Sequence, residues 1–361
     1  MAIAMNPYNF VRLDLSRPPQ RDGRRIKNEG LNWIFGLWGS TDCRLETLTP
    51  LFIGSNITRE DKDHKYMDYL LRNGKPFIPG TSLKGAIRSI AEAAANSCLA
   101  VATENSRNPA NDILSKIPAE FRPCHDRGAL CITCRMFGAG RKAMLTGKVS
   151  FGDGLPVKVE DGGWVTLPPL MVPKPRHAVW YFPNQQVAGR KFYYHQPGVR
   201  LASAEKSPLN KTVHLIGPGS IFEFRVKFWG LDQEELGLLF YALFLEPGLK
   251  HKLGMGKPLG LGSVSISPVA AHLCEMHRRY TSWSKGVLTA NRLEGEALSE
   301  YIAKLTEPWR ESQAINLQDV RQILCFDPSR KVSFAYPSRE WFRGHGQVSL
   351  ADLVKQSGLG R

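Results

Sequence analysis

Cys124, Cys131 and Cys134 are the residues whose type and spacing most directly suggest chemistry. A Cys-x2-Cys pair with a third cysteine nearby can present three thiolates to one ion. His125 or Cys98 is the candidate fourth ligand of a tetrahedral zinc site. Such a site would be structural, clamping residues 98–146, a stretch of poor apolar periodicity whose own core is too small to hold it. A redox pair is the rival, but the thioredoxin-like strand and helix are missing around it, and buried thiols without metal are the plain alternative. Cys43, Cys274 and Cys325 stand apart and read as small apolar core residues.

A second constellation spans Lys250 to Gly262, where four glycines and three lysines share thirteen residues. Gly254, Gly256, Gly260 and Gly262 permit positive φ and let backbone amides approach an oxyanion, while Lys252 and Lys257 add charge. Phosphate-backbone binding fits that mixture. The spacing is not that of the Gly-x4-Gly-Lys-Ser/Thr nucleotide loop, so nucleotide hydrolysis is disfavoured; a tight structural turn is the alternative. Upstream, a Pro-Gly turn at 79–80 precedes a helix running to about Asn96, with Leu83, Ile87 and Ile90 on one face and Thr81 or Ser82 as its cap. Unpaired amides at that start, with Lys84 and Arg88 in the first two turns, could dock a phosphate, although a capped surface helix would carry the same residues. From about Trp164 to Leu215, Lys174, Arg176, Arg190, Lys191 and Tyr193 mix with further aromatics. Bases could stack on such rings while cations meet phosphates, and an aromatic packing cluster is equally consistent.

The elements that must position these groups follow from periodicity. Arg44–Gly54 alternates as a half-buried strand, and 55–74 is polar and charged without a period, as in a long loop. Residues 147–153 read as a second strand, and Ser220–Trp229 alternates strictly. Asp232 caps a helix through Leu245 that is apolar nearly all round, and 262–266 supplies a short strand. The order strand, helix, strand, strand, helix, strand predicts an α+β fold with a ferredoxin-like (RRM-like) β-α-β-β-α-β core. Helices are expected near 270–280 and 293–305. Residues 1–267 would then form one domain with insertions at 98–146 and 164–215, followed by a mainly helical C-terminal extension, 268–361.

Lys plus Arg number 48 against 33 acidic residues, a formal charge of +15, so an anionic partner is expected and nucleic acid leads. A membrane surface is disfavoured because the basic residues are scattered rather than gathered on one amphipathic helix. The opening Met1–Phe10 lacks the basic start and apolar centre of a secretory signal, and no apolar run is long enough for a membrane span, so a cytoplasmic location is expected.

Ile78-Pro-Gly-Thr-Ser-Leu-Lys-Gly-Ala-Ile-Arg88 and Lys252-Leu-Gly-Met-Gly-Lys-Pro-Leu-Gly-Leu-Gly-Ser263 resemble two signatures of the RAMP (repeat-associated mysterious protein) superfamily, in the expected order. Similar blocks are Asn6-Pro-Tyr-Asn-Phe-Val11, Cys131-Ile-Thr-Cys-Arg-Met-Phe-Gly138 with Gly147-Lys-Val-Ser-Phe151, Lys174-Pro-Arg176, Gly189-Arg-Lys-Phe-Tyr-Tyr-His195 and Tyr336-Pro337. They span nearly the whole chain.

The resemblance implies a Cas-seven-like backbone subunit of a type III CRISPR effector complex, with guide RNA, complementary target RNA and other effector subunits as partners. By position, Ser82, Lys84, Arg88 and the glycine-rich segment would track the guide backbone, and the 164–215 insertion would be a thumb-like wedge. Cleaving members use an acidic residue before the Ile-Pro-Gly turn, with Mg²⁺. Here Asp63 lies nearest the expected spacing, with Asp61 and Asp68 beside it, and a solvated charged loop is the alternative. Two other classes compete: a stand-alone metal-dependent endoribonuclease that processes guide RNA, using His195, His214 or His251, and a non-catalytic protein scaffold.

Overall fold

The computed structural model describes residues 6–22, 36–61, 63–100, 113–140, 143–170, 178–199, 201–275, 291–329, 334–337, 339–345, 348 and 350. In chain order its principal elements are β1 (Tyr8–Val11), β2 (Leu37–Thr47), β3 (Gly54–Asp61), β4 (His64–Tyr69), α1 (Gly80–Ala94), α2 (Ile132–Phe137), β5 (Val149–Phe151), β6 (Leu155–Lys158), β7 (Asp161–Thr166), β8 (Arg190–Tyr193), β9 (Lys211–Ile216), β10 (Ile221–Leu231), α3 (Gln233–Phe244), β11 (His251–Lys252), β12 (Ser263–Glu275), β13 (Asn291–Glu294), α4 (Gly295–Arg310) and α5 (Ile315–Leu324).

The main sheet grows from β10. Its Phe222, Phe224, Val226 and Phe228 are buried while Glu223, Arg225 and Lys227 are exposed, so one face must be covered. β10 pairs antiparallel with β2, and the other edge of β2 pairs antiparallel with β12. The sheet order is β6-β10-β2-β12-β11, with β5 also on β10 and β13 also on β12. Helices α1 and α3 pack against each other and against this sheet, and Leu83, Ile87 and Ile90 of α1 share one core with Leu236, Leu239 and Phe240 of α3. The architecture is thus mixed α+β. α4 packs on α3, and α5 packs on α1 and β1.

Local chemistry fixes both helix starts. Asp232 accepts from the Glu235 amide at 2.8 Å, and Glu235 reaches back to the Asp232 amide at 3.2 Å, a reciprocal capping box. At α1 the sequence expectation fails, because neither Thr81 nor Ser82 caps it. Asp153 does so from beyond β5, its Oδ1 accepting from the Gly80 amide at 2.8 Å.

A second sheet has the order β7-β9-β4-β3, with β9 and β4 parallel. Phe52, Met67, Val213, Leu215 and Leu261 form its core. The stretch 55–74, expected to be a loop, therefore contains the hairpin β3–β4. Its period was hidden because, of the β4 side chains, only His64 and Met67 are buried, His64 bonding Thr212 Oγ1 at 2.8 Å. The 164–215 stretch likewise supplies strands, β8 pairing with β1 and β9 with β4, partners too distant in sequence to leave a local pattern.

The helix expected near 270–280 is also corrected. β12 crosses Pro268 at a register shift and continues along β2 to Glu275, burying Ala270 and Ala271; residues 276–280 lie outside the described residues. The first core strand starts at Leu37 rather than Arg44 and ends at Thr47. No helix among the described residues is long and apolar enough to cross a membrane.

Candidate nucleic-acid groove and metal centre

The glycine-rich segment folds back on itself between β11 and β12. Gly254, Gly256, Gly260 and Gly262 all have φ between +70° and +88°. The constraint is hardest at Gly262, where a Cβ would overlap the Leu253 carbonyl oxygen, and at Gly254, where it would overlap that of Phe52. Lysines brace the loop from within. Lys252 Nζ donates to the carbonyls of Gly260 (3.1 Å) and Leu261 (3.0 Å), and Lys257 Nζ to that of Gly254 (2.7 Å).

This loop faces the first half of α1 across a groove of about 500 Å³. Ser82, Gly85 and Ser89 line the helix side, Gly254, Met255 and Lys257 the loop side, and Lys191 and Tyr193 of β8 a third wall. Lys191 Nζ sits 3.7 Å from the Tyr8 ring centre and donates to Tyr181 Oη at 3.0 Å, an aromatic setting that holds the ammonium in place. Three segments singled out in the sequence thus meet in one cleft.

Not every expected residue joins them. Lys84 Nζ donates to the Val149 carbonyl at 3.0 Å, and Arg88 pairs with Glu92 at 2.7 Å. With Asp153 on the first amide of α1, a carboxylate already sits where a phosphate was expected. Arg190 is buried away from the groove, 7% exposed, and Lys174 and Arg176 lie outside the described residues.

Burial pushes the Lys252 ammonium down to about 7, aided by Lys257, whose own value burial also lowers. The folded chain therefore binds fewer protons than the unfolded chain from about pH 7 to about pH 10, and stability rises with pH across that window. The unfolding free energy from urea titrations is expected to climb from pH 7 to pH 9, by up to about 1 kcal/mol per pH unit, and Lys252→Met should flatten the climb.

The cysteines form the second centre. The sulfurs of Cys98, Cys124, Cys131 and Cys134 all lie within 4.8 Å of one another and all four residues are buried. Cys98 is 3.5 Å from Cys134 and 3.7 Å from Cys131, close to the edge of about 3.8 Å that a tetrahedron with Zn–S bonds of about 2.3 Å requires. The donor set fits a single soft or borderline cation. Cys98, just beyond α1, supplies the fourth sulfur. His125 is exposed, with Nδ1 3.5 Å from the Pro123 carbonyl, and is not part of the cluster.

The acidic candidates do not converge. Asp61 and Asp63 are exposed at the β3–β4 turn, where Asp63 has φ of 65°. Asp68 instead bonds His214 Nδ1 at 3.0 Å, while Asp161 bonds His214 Nε2 at 2.9 Å. A backbone hydrogen bond from Gly163, then His214, holds the Asp161 carboxyl below its usual range. His214 is stacked between Tyr69 and Trp164, at 4.5 and 4.6 Å, beside a cavity of about 660 Å³ that Arg59 and Tyr66 also line. That arrangement was not legible in the sequence, since its members come from β4, β7 and β9 with no shared spacing. His195 and His251 are buried and bond the carbonyls of Lys250 and Ala242, and burial pushes His251 down to about 4. Neither is arranged as an acid–base pair.

The fold sets α1, the glycine loop and β8 around one groove. The model of the RAMP superfamily matches residues 44–265, and the chain belongs to that superfamily. Among solved structures, a chain described as "Type IV-B CRISPR Complex" is similar at 14% identity and a TM-score of 0.35, covering 64% of this chain and 90% of that one. No curated protein matches the chain.

Proposed function

We propose that this chain is a guide-RNA-binding backbone subunit of a multi-protein CRISPR effector complex of the RNA-targeting (type III) kind, working in the cytoplasm. The observation that carries this reading is the convergence of the α1 start, the glycine loop and Lys191 in one groove. An RNA backbone laid there would meet serine hydroxyls, glycine backbone that carries no side chain and the ammonium groups of Lys191 and Lys257, all of which read phosphate rather than base sequence. Tyr193 offers a ring on which a base can stack.

We read the core as ferredoxin-like: β2, α1, β5, β10, α3 and β12 follow the β-α-β-β-α-β order, and the spatial order β12-β2-β10-β5 fits it. The four cysteines would hold structural zinc. Target cleavage, if this subunit performs it, falls to Asp61 or Asp63, the exposed carboxylates of the hairpin turn, with Mg²⁺. Asp68 is engaged by His214.

Photo-crosslinking of a 4-thiouridine-substituted guide RNA to the full chain, followed by peptide mapping, tests the groove. Adducts are expected on the peptides carrying Tyr193 and Met255; adducts confined to the Arg59–Trp164 cavity would contradict the assignment. In the reconstituted complex, Asp61→Ala and Asp63→Ala separate cleavage from scaffolding. Loss of one cut with guide binding intact marks a nuclease, and unchanged patterns mark a scaffold.

A further inference from the structure

Arg190 poses a problem that neither the groove nor the fold resolves. It opens β8 yet is buried. Its Nη2 donates to the carbonyl of Ser97 and lies 3.5 Å from that of Cys98, while Nε and Nη1 have no hydrogen-bond partner among the described residues. Among the described residues no carboxylate lies within ion-pair distance of it; the nearest acidic influence, Glu92, is held by Arg88 at 2.7 Å. A guanidinium buried with two unsatisfied donor atoms needs an anion nearby. Through the Nη2 contact the guanidinium lies against Cys98, a member of the four-sulfur cluster. Four neutral thiols would not neutralise it, whereas four thiolates around one dication make a buried dianion.

We propose that Arg190 is a latch between the metal centre and the groove: the metal–tetrathiolate dianion holds its guanidinium, and so fixes β8 with Lys191 and Tyr193 turned to the groove. This rests on the reading of the cysteines as a metal site. The geometry of β8 transmits the effect. Adjacent side chains on a strand point to opposite sides, so Arg190 turns to the cysteines while Lys191 turns to Tyr8 and Tyr181. Among the described residues β8 has a single β-strand partner, β1, with Arg190 opposite Val11 and Lys191 opposite Phe10. A two-stranded ribbon has little stability of its own, so an electrostatic anchor at its first residue governs where the next residue lies. The metal thereby sets the position of a phosphate-binding lysine that it does not touch.

The test uses the full chain, Zn²⁺ as the probe metal and a chromophoric chelator as competitor. Arg190→Met is expected to release zinc about tenfold more readily than the native protein, and Arg190→Lys, which keeps the charge without the planar fork, to fall between them. Hydrogen exchange read on the native protein should show the amides of Lys191, Phe192 and Tyr193 losing protection when zinc is removed, while those of α3 keep theirs. An Arg190→Met protein that holds zinc as the native one does, or β8 exchange indifferent to zinc, overturns the latch. Should Arg190→Met not fold, Arg190→Lys carries the comparison, and zinc retention equal to native then overturns it. Native protein that takes up no zinc defeats the metal reading itself, a different failure.

Discussion

Cys134→Ser, or treatment of the native chain with a chelator, is expected to melt the segment that joins α1 to β5 while leaving the main sheet folded. Cys134 is 2% exposed, and its cluster ties together Cys98 beyond α1, Cys124 in irregular chain and Cys131 at the start of α2. Around it, among the described residues, only Leu130 and Ala143 join the cysteines as buried apolar residues. So small a cluster offers little burial energy, whereas a structural zinc site contributes apparent binding free energy of about 10–16 kcal/mol at neutral pH. Limited proteolysis should open cleavage sites between 98 and 140 in Cys134→Ser, with the β10–α3 region resistant. An unchanged digest would show that the cysteines are an ordinary buried cluster.

The second large effect is expected at Glu235. It is fully buried and does three things at once: it completes the α3 cap, pairs with Arg135 at 3.2 Å and pairs with Lys148 at 3.0 Å. Arg135 is itself buried, so Glu235→Ala leaves an uncompensated cation in the core. Breaking a buried pair from one side costs about 3–5 kcal/mol. Urea unfolding should show a loss of that size with an unchanged slope. Glu235→Gln, which keeps the shape and part of the capping, should fall between the two; equal stability of all three proteins would mean that Glu235 does not organise the junction of α2, β5 and α3.

How much of this was legible from sequence depended on how local each signal was. The strict alternation of 221–228 and the Asp232 cap are local, and both gave the right element in the right place. The hairpin β3–β4 and the strand β8 were missed because their partners, β9 and β1, lie far away in sequence, and pairing of that kind leaves no period. Pro268 and the alanines after it suggested a strand end followed by a helix, yet pairing with β2 outweighs alanine's helix preference.

The candidate site divides in the same way. The glycine loop and the α1 start stood out in the sequence and line one groove, and spacing alone found three of the four clustered cysteines, with Cys98 one of two options for the fourth. What spacing could not give was the direction of each side chain. Lys84 and Arg88 follow the turn closely, but their turn of α1 faces β5 and Glu92 rather than the loop. Lys252 was read as a phosphate ligand, whereas its two carbonyl partners make it a brace of the loop. Arg190 and Lys191 looked equivalent in the sequence, and the strand sends them to opposite sides.

An RNA backbone bound in the cleft between α1, the glycine loop and β8 would feel the charge of Lys191. The most direct measurement is guide-RNA affinity as a function of salt, for the native chain and for Lys191→Ala; Lys252 and Lys257 are left in place because both brace the loop. The expected result is weaker binding at every salt concentration, with the slope of log K against log salt reduced by about 1 for each lysine–phosphate ion pair removed. Binding of unchanged affinity and slope would contradict that placement and move the RNA to another face of the molecule.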